Sequence, residues 1–300
     1  MSLRDFQKLS STSEFDYMRF KLVDILTFSY IGILSLLIIL FRSRLEGWYL
    51  YIIFHCLFIF FIFFLIWLDR RYQNKIISLL HYGYPLLSFP LMYEELGQFI
   101  HLIFPYWFDF AIHRLELSIL CVYPTIWLQK LVTPWTTEFF KLAYFSYYLV
   151  VPIAVLALYL RGDMRIFEEL VTTLAFIFYI CYIGFILMPV EGPRYALAPL
   201  YTVKLKGYII TSFQDFLTEI GALHGGCMPS SHVAVAFVSL IIVRRYVKLV
   251  YYFLLPAVLC LFVSTIYTRD HYFSDVIAGL LVGWLGLSLV PRMMKIWDGS

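Results

Sequence analysis

Charge is what this sequence has least of. Only 14% of its 300 residues are Asp, Glu, Lys or Arg, against about a quarter in soluble domains. The formal net charge of +3 supplies no basic stripe, so nucleic acid is not an expected partner. Cysteine is sparse too. Cys56, Cys121, Cys181, Cys227 and Cys260 form no C-x-x-C pair, which leaves no legible disulfide framework or zinc knuckle. Four of them lie in or beside apolar runs, where a free thiol behaves as a small hydrophobe. There is no internal repeat and no low-complexity tract. The first twenty residues, with Arg4, Asp5, Lys8, Glu14 and Asp16, lack the layout of a cleaved signal peptide.

Apolar residues fill the rest: 62% of the chain is hydrophobic, 20% is aromatic, and the mean hydropathy is +0.81. A spanning helix needs about 20 mostly apolar residues. Residues 22–41, 48–68, 76–92, 139–160, 170–190, 229–243, 249–268 and 274–290 are the candidates, the third interrupted by Pro85 and Pro90. Residues 93–138, rich in Trp, Tyr and Pro, predict an interfacial layer with amphipathic helices. The expected fold is therefore all-α, a polytopic membrane helix bundle of about eight spans. Residues 1–138 would form N-terminal spans plus the interfacial segment, and 139–300 a membrane core.

The charges that remain set an orientation. Arg161, Arg165, Arg244, Arg245, Lys248, Arg292 and Lys295 fall on one side of these spans, with Arg4, Lys8, Arg19 and Lys21. By the positive-inside rule that side is cytoplasmic. Arg42 and Arg44 are the exception. Loops 191–228 and 269–273 then share the extracytoplasmic face.

Those two loops hold the candidate chemistry. In "STIYTRDHYFSDVIAG" (264–279), His271 and Asp275 are four apart, which on a helix would put them on one face. A carboxylate there can fix the imidazole tautomer and leave the other ring nitrogen free as nucleophile or base. The plainer alternative is that Asp275 only caps the last helix. In "MPSSHVAV" (228–235), Pro229 is placed like a first-turn proline. Ser230, Ser231 and the helix N-terminus offer donors suited to an anion, and His232 adds a titratable group. In "MPVEGPRYALAP" (188–199), Arg194 carries a planar fork that fits phosphate oxygens, although a span-end arginine also snorkels. His224 lies close enough in sequence to approach this face. Asp109 and Glu116 share a helical face that would be solvated or meet a headgroup. His55, His81, His101 and His113 have no partner at a telling spacing and are expected to be structural, and the aromatic residues to be lipid-facing and interfacial.

Taken together, an arginine loop, then Pro229-Ser230-Ser231-His232, then Ser264-Thr265-x5-His271-x3-Asp275 resembles the type 2 phosphatidic acid phosphatase superfamily over about residues 139–290. That family's pattern is K-x6-R-P, P-S-G-H and S-R-x5-H-x3-D. Here Leu187, Tyr195, Ser231 and Thr265 stand at its lysine, proline, glycine and second arginine. These losses, with "VTPWTTEFF" and "LAYFSYYLVVP" in 132–152, look like the branch of inositol phosphorylceramide and sphingomyelin synthases and its bacterial relatives. Arg269 is near enough in sequence to replace part of the missing charge.

The resemblance implies a metal-independent enzyme without a cofactor, acting on a lipid phosphate or phospholipid in the bilayer. His271 would attack phosphorus and form a phosphohistidine, with Asp275 orienting it. His232 would protonate the departing alkoxide and then serve as base. Arg194, Ser230 and Ser231 would hold the phosphoryl oxygens. The first expectation is a lipid phosphate phosphatase at the extracytoplasmic face. The alternative is a phosphotransferase to an alcohol acceptor such as inositol, a diacylglycerol or a ceramide. A zinc site, a transporter or a receptor is the remaining class. Metal would show as chelator sensitivity, and a transporter would more typically place its polar groups at mid-membrane.

Overall fold

The computed structural model describes residues 20–221 and 223–299. Arg4, Asp5, Lys8, Glu14, Asp16 and Arg19 lie outside the described residues. Every regular element among those described is helical, as the apolar runs predict. In chain order they are α1 (Leu22–Leu40), α2 (Trp48–Tyr72), α3 (Lys75–Leu96), α4 (Asp109–Leu120), α5 (Pro124–Leu128), α6 (Pro134–Phe145) and α7 (Tyr147–Leu160). Then follow α8 (Met164–Leu187), α9 (Pro193–Ala196), α10 (Ile209–Gly221), α11 (Ser231–Tyr246), α12 (Lys248–Tyr267) and α13 (Phe273–Trp297).

Six segments are long and apolar enough to cross a membrane: α1, α2, α6 with α7, α8, α12 and α13. The other two expected spans exist as helices of a different character. α3 has 22 residues, more polar composition and two interior prolines. α11 has only 16 residues. α11 begins at Ser231, so Pro229 precedes the N-cap rather than opening the first turn, and Ser230 is the cap, its hydroxyl accepting from Val233 N–H at 3.4 Å. The expected interfacial segment 93–138 contains α4 and α5, and its last residues, from Pro134, already belong to the membrane-length segment of α6 and α7.

α8 is the axis of the bundle. Sixteen of its 24 residues are buried, because it is apolar nearly all round and α1, α3, α7, α11 and α13 pack about it. α13 approaches its neighbours through glycines. A Cβ on Gly279 would lie 2.5 Å from the Ser230 carbonyl oxygen, and one on Gly283 2.9 Å from Phe237. Small residues four apart let backbones meet closely, and the same helix face carries Asp275 to the start of α11.

The N-terminal helices are tied on by buried polar contacts. His81 Nε2 meets Asp24 at 3.2 Å and its Nδ1 meets Asp69 at 2.9 Å. His55 lies 2.7 Å from Glu95 and 2.7 Å from the Ser35 hydroxyl. Tyr182 of α8 donates to the Phe89 carbonyl of α3. Polar side chains act between membrane helices as interhelical glue.

At one end of the bundle the short connections carry paired basic groups. Lys21 pairs with Glu168, Arg245 with Glu169, and Arg165 with Asp298, while Arg161 donates to the Tyr246 carbonyl. The exceptional Arg44, at the other end, donates to the Leu102 and Ile103 carbonyls. The start of α11, with His232, and the turn that holds His271 lie at that other end.

Candidate active site

His271 sits in the turn before α13, where its backbone N–H and that of Asp270 both donate to the Thr265 carbonyl at 3.0 and 3.1 Å. Thr265 is fully buried, and its hydroxyl donates to Phe262. It shapes the turn and offers nothing to a phosphate. His271 is not yet in the helix, yet its Nδ1 lies 3.5 Å from Asp275 Oδ2. A shorter contact, 3.0 Å, joins Nδ1 to the Cys227 carbonyl oxygen. A carbonyl can only accept, so Nδ1 carries the proton and Nε2 presents its lone pair.

That lone pair points at the second histidine. His271 Nε2 and His232 Nδ1 are 3.4 Å apart. His232 Nε2 lies 3.3 Å from the Tyr144 hydroxyl, and its ring packs on Tyr147. A tyrosine hydroxyl can give or take a hydrogen bond, so Tyr144 can follow His232 between charged and neutral forms.

Asp275 has two tasks. Its Oδ2 accepts the Tyr272 N–H at 2.8 Å, capping α13, and also accepts the Cys227 thiol at 2.7 Å. Burial, and then the neighbouring Asp275 charge, push the Cys227 thiol well above its ordinary range, so it remains a donor. Cys227, His271 and Asp275 hold their ligand atoms within 4.8 Å of one another, a donor set that suits zinc. Such an ion would take Nδ1 and leave Nε2 free.

Arg194 comes to the site on the turn after α8. Gly192, with φ +99°, forms that turn, and a Cβ there would crowd Cys227 Sγ at 3.3 Å and the Asp270 carbonyl at 3.4 Å. Asp109 fixes the loop from below, accepting Glu191 N–H at 2.8 Å, Gly192 N–H at 2.9 Å and the Tyr272 hydroxyl at 2.9 Å. Glu116 accepts Ser274 N–H and Oγ at the start of α13. Both carboxylates are buried, so the expected solvated or headgroup-facing pair is instead a clamp on two site loops. Arg194 pairs with Asp270, and that charge raises its pKa further.

Arg194, Ser231, His232, Asp270 and His271 line one end of a cavity of about 960 Å³. Ser230, fully buried as a cap, is not on its wall. Neither is Arg269, which stacks on Tyr201 at 3.7 Å and donates to the Val203 carbonyl, so it replaces no phosphate ligand here. His224 stands outside the wall, paired with Glu191 at 3.0 Å. Leu187 is exposed. Sequence reasoning missed Asp270 and Cys227, and underrated Asp109 and Glu116. Only their position beside the motif residues could have singled out the first two.

The stretch of chain that carries the two facing imidazoles, the carboxylate behind one of them and the arginine at the wall has a match in sequence. A model of the PAP2 superfamily matches residues 111–289, more than half of the chain. The chain belongs to the PAP2 superfamily. No curated protein and no solved structure matches it. The PAP2 match covers α4 to most of α13 and leaves α1, α2 and α3 outside it. Members of the superfamily are generally phosphatases or phosphotransferases, and the membrane-length helices place this PAP2 chain among integral membrane proteins.

Proposed function

We propose that the protein is a lipid phosphate phosphatase working through a phosphohistidine at the extracytoplasmic face. The observation that carries this reading is the 3.4 Å approach of His271 Nε2 to His232 Nδ1 at a cavity wall shared with Arg194. Burial, and then the neighbouring His271, hold the His232 pKa down, and a phosphate anion beside it favours the charged form again. His271 Nε2 attacks phosphorus as the P–O bond to the lipid alcohol breaks, and His232 so protonated gives its proton to the departing alkoxide. The Nδ1–H bond to Cys227 and the Asp275 charge steady the imidazole as positive charge develops on it. His232, now a base, takes a proton from water. The hydroxide attacks phosphorus, the P–N bond breaks, and inorganic phosphate leaves. Arg194 and Ser231 stabilise the phosphoryl oxygens. The short basic turns at residues 161–165 and 244–248, at the opposite end, support the orientation.

A second reading is headgroup transfer, and one observation favours it. With leucine and threonine at two of the family's cationic positions, Arg194 is the cation on this end of the cavity wall, and Asp270 offsets it. That balance suits a phosphodiester, with one negative charge, better than a phosphate monoester with nearly two. An alcohol would then take the place of water in the second step.

Purified wild type and His271→Ala, offered phosphatidic acid and a phosphodiester lipid with and without diacylglycerol or ceramide, separate these. Free phosphate from the wild type alone establishes the phosphatase. A new phospholipid that needs the acceptor establishes the transferase. Equal activity in His271→Ala would sink both. Wild-type activity that survives EDTA leaves the mechanism standing, whereas loss on chelation restored by zinc would move the Cys227–His271–Asp275 cluster to a metal role.

A further inference from the structure

The cavity does not end at the histidines. From Tyr93, beside them, it continues along α3 to Leu79, fourteen residues away, or about 21 Å at the helical rise. The opposite wall is α7, from Tyr147 under His232 down to Tyr159. The charged members of its lining, Glu94, Glu191, Arg194 and Asp270, sit with the two histidines at the reacting end. Beyond Tyr93 the lining is almost wholly hydrocarbon and aromatic ring. α3 and α7 each pack on α8 but not closely on each other. The gap between them is edged by Leu80, Leu87 and Leu156, which are all exposed. In a membrane such side chains face lipid, so the groove opens sideways into the bilayer.

We infer that the α3–α7 groove is a binding site for a hydrocarbon chain of the substrate, one wall of it supplied by α3, which precedes the matched segment. This rests on a lipid phosphate being bound at His271. Continuity fixes the occupant: a molecule whose phosphorus lies at His271 Nε2 can pass only an apolar tail into this space without leaving a polar group unsatisfied. The length agrees, since one leaflet of hydrocarbon is about 15 Å deep and the groove is long enough to hold a chain of that depth. The buried pairs His81–Asp24 and His55–Glu95 and the Tyr182 bond to Phe89 then have a purpose. They hold α3 at a fixed distance from α7, so that the groove stays open without either wall packing shut.

The test uses full-length His271→Ala protein in nanodiscs with phosphatidic acid carrying a diazirine at the end of one acyl chain. Photolabelling is expected within 79–87 and 151–159 and is lost when excess unlabelled phosphatidic acid is added. Adding Gly83→Phe, whose ring would project from a backbone that has only Phe167 within contact range, is expected to abolish labelling deeper than residue 83. Leu91→Phe, exposed and off the groove wall, is expected to leave it unchanged. Labelling that excess phosphatidic acid does not remove, or that falls mainly on outward residues such as Trp67, overturns the inference. Wild-type turnover measured in parallel keeps the two failures apart. Competed labelling at α3 without any His271-dependent phosphorus chemistry upholds the groove and overturns the enzymatic reading.

Discussion

Asp270 is the side chain that sets the charge balance around Arg194. It precedes the proposed nucleophile in the chain, pairs with Arg194 and accepts the Thr268 hydroxyl at 2.5 Å. Asp270→Asn keeps the shape and removes the charge, freeing Arg194 for a dianion. For a phosphate monoester, KM should fall about tenfold, equivalent to roughly 1.4 kcal/mol. For a phosphodiester it should change little. Steady-state kinetics on the two lipids check this, and an equal effect on both would remove Asp270 from the specificity argument. Cys227 acts behind the nucleophile. Cys227→Ala deletes the thiol donor to Asp275 and leaves Oδ1, already without a hydrogen-bond partner, on a carboxylate with one contact fewer. A hydrogen bond to a charge is worth about 1.5–3 kcal/mol, so kcat should drop about 10- to 100-fold, KM should hold, and Cys227→Ser should restore most of the loss. His232 and His271 were legible because the chemistry fixes residue type and spacing together. Asp270 and Cys227 were not, since an Asp beside a motif His and a thiol two residues before a Pro acquire meaning only when three loops meet.

At the level of elements, apolar length located the helices but not their working ends. The six membrane-length segments follow from hydropathy alone. α11 is enclosed by α7, α8, α12 and α13 rather than by lipid, and it starts at Ser231 behind a Ser230 cap, two residues after the Pro229 that hydropathy and proline preference point to. The break at Ser146 that divides one expected span into α6 and α7 left no hydropathic trace either. The clamp from α4 was equally hidden. Asp109 and Glu116 look like a solvated face until α4 is set against the site loops, where each carboxylate finds backbone N–H groups. Asp109→Ala would strand two backbone donors and the Tyr272 hydroxyl, each unsatisfied group costing about 1–3 kcal/mol. The expected result is a lowered melting temperature together with a roughly 100-fold fall in kcat/KM, about 2.7 kcal/mol of transition-state stabilisation, as Arg194 loses its position. Asp109→Asn keeps one acceptor oxygen and should be intermediate in both. Loss of stability with unchanged kcat/KM would show that the loop holds Arg194 without help from α4.

Across the whole molecule, the basic end and the histidine end lie on opposite ends of one bundle, and the proposed sidedness follows from which end stays inside. In the proposed orientation Lys21, Arg161, Arg165, Arg245 and Lys248 mark the first as the cytoplasmic end. Arg44 does not weaken the assignment, because its guanidinium is consumed by two loop carbonyls. Cysteine chemistry can read the orientation directly. Cys121 is exposed at the end of α4, in the layer that holds the site, and Lys248 is exposed at the other end. In sealed right-side-out vesicles, a membrane-impermeant maleimide should modify Cys121 at once. Lys248→Cys, carried on a Cys121→Ser background, should react only after permeabilisation. Cys56 is exposed as well, but it lies within α2, where bilayer would shield it from an impermeant reagent. The reverse pattern would put the histidines on the cytoplasmic face. It would leave the phosphohistidine chemistry and the lateral groove intact, since both depend on the bundle's own geometry, and would change only which leaflet supplies the lipid.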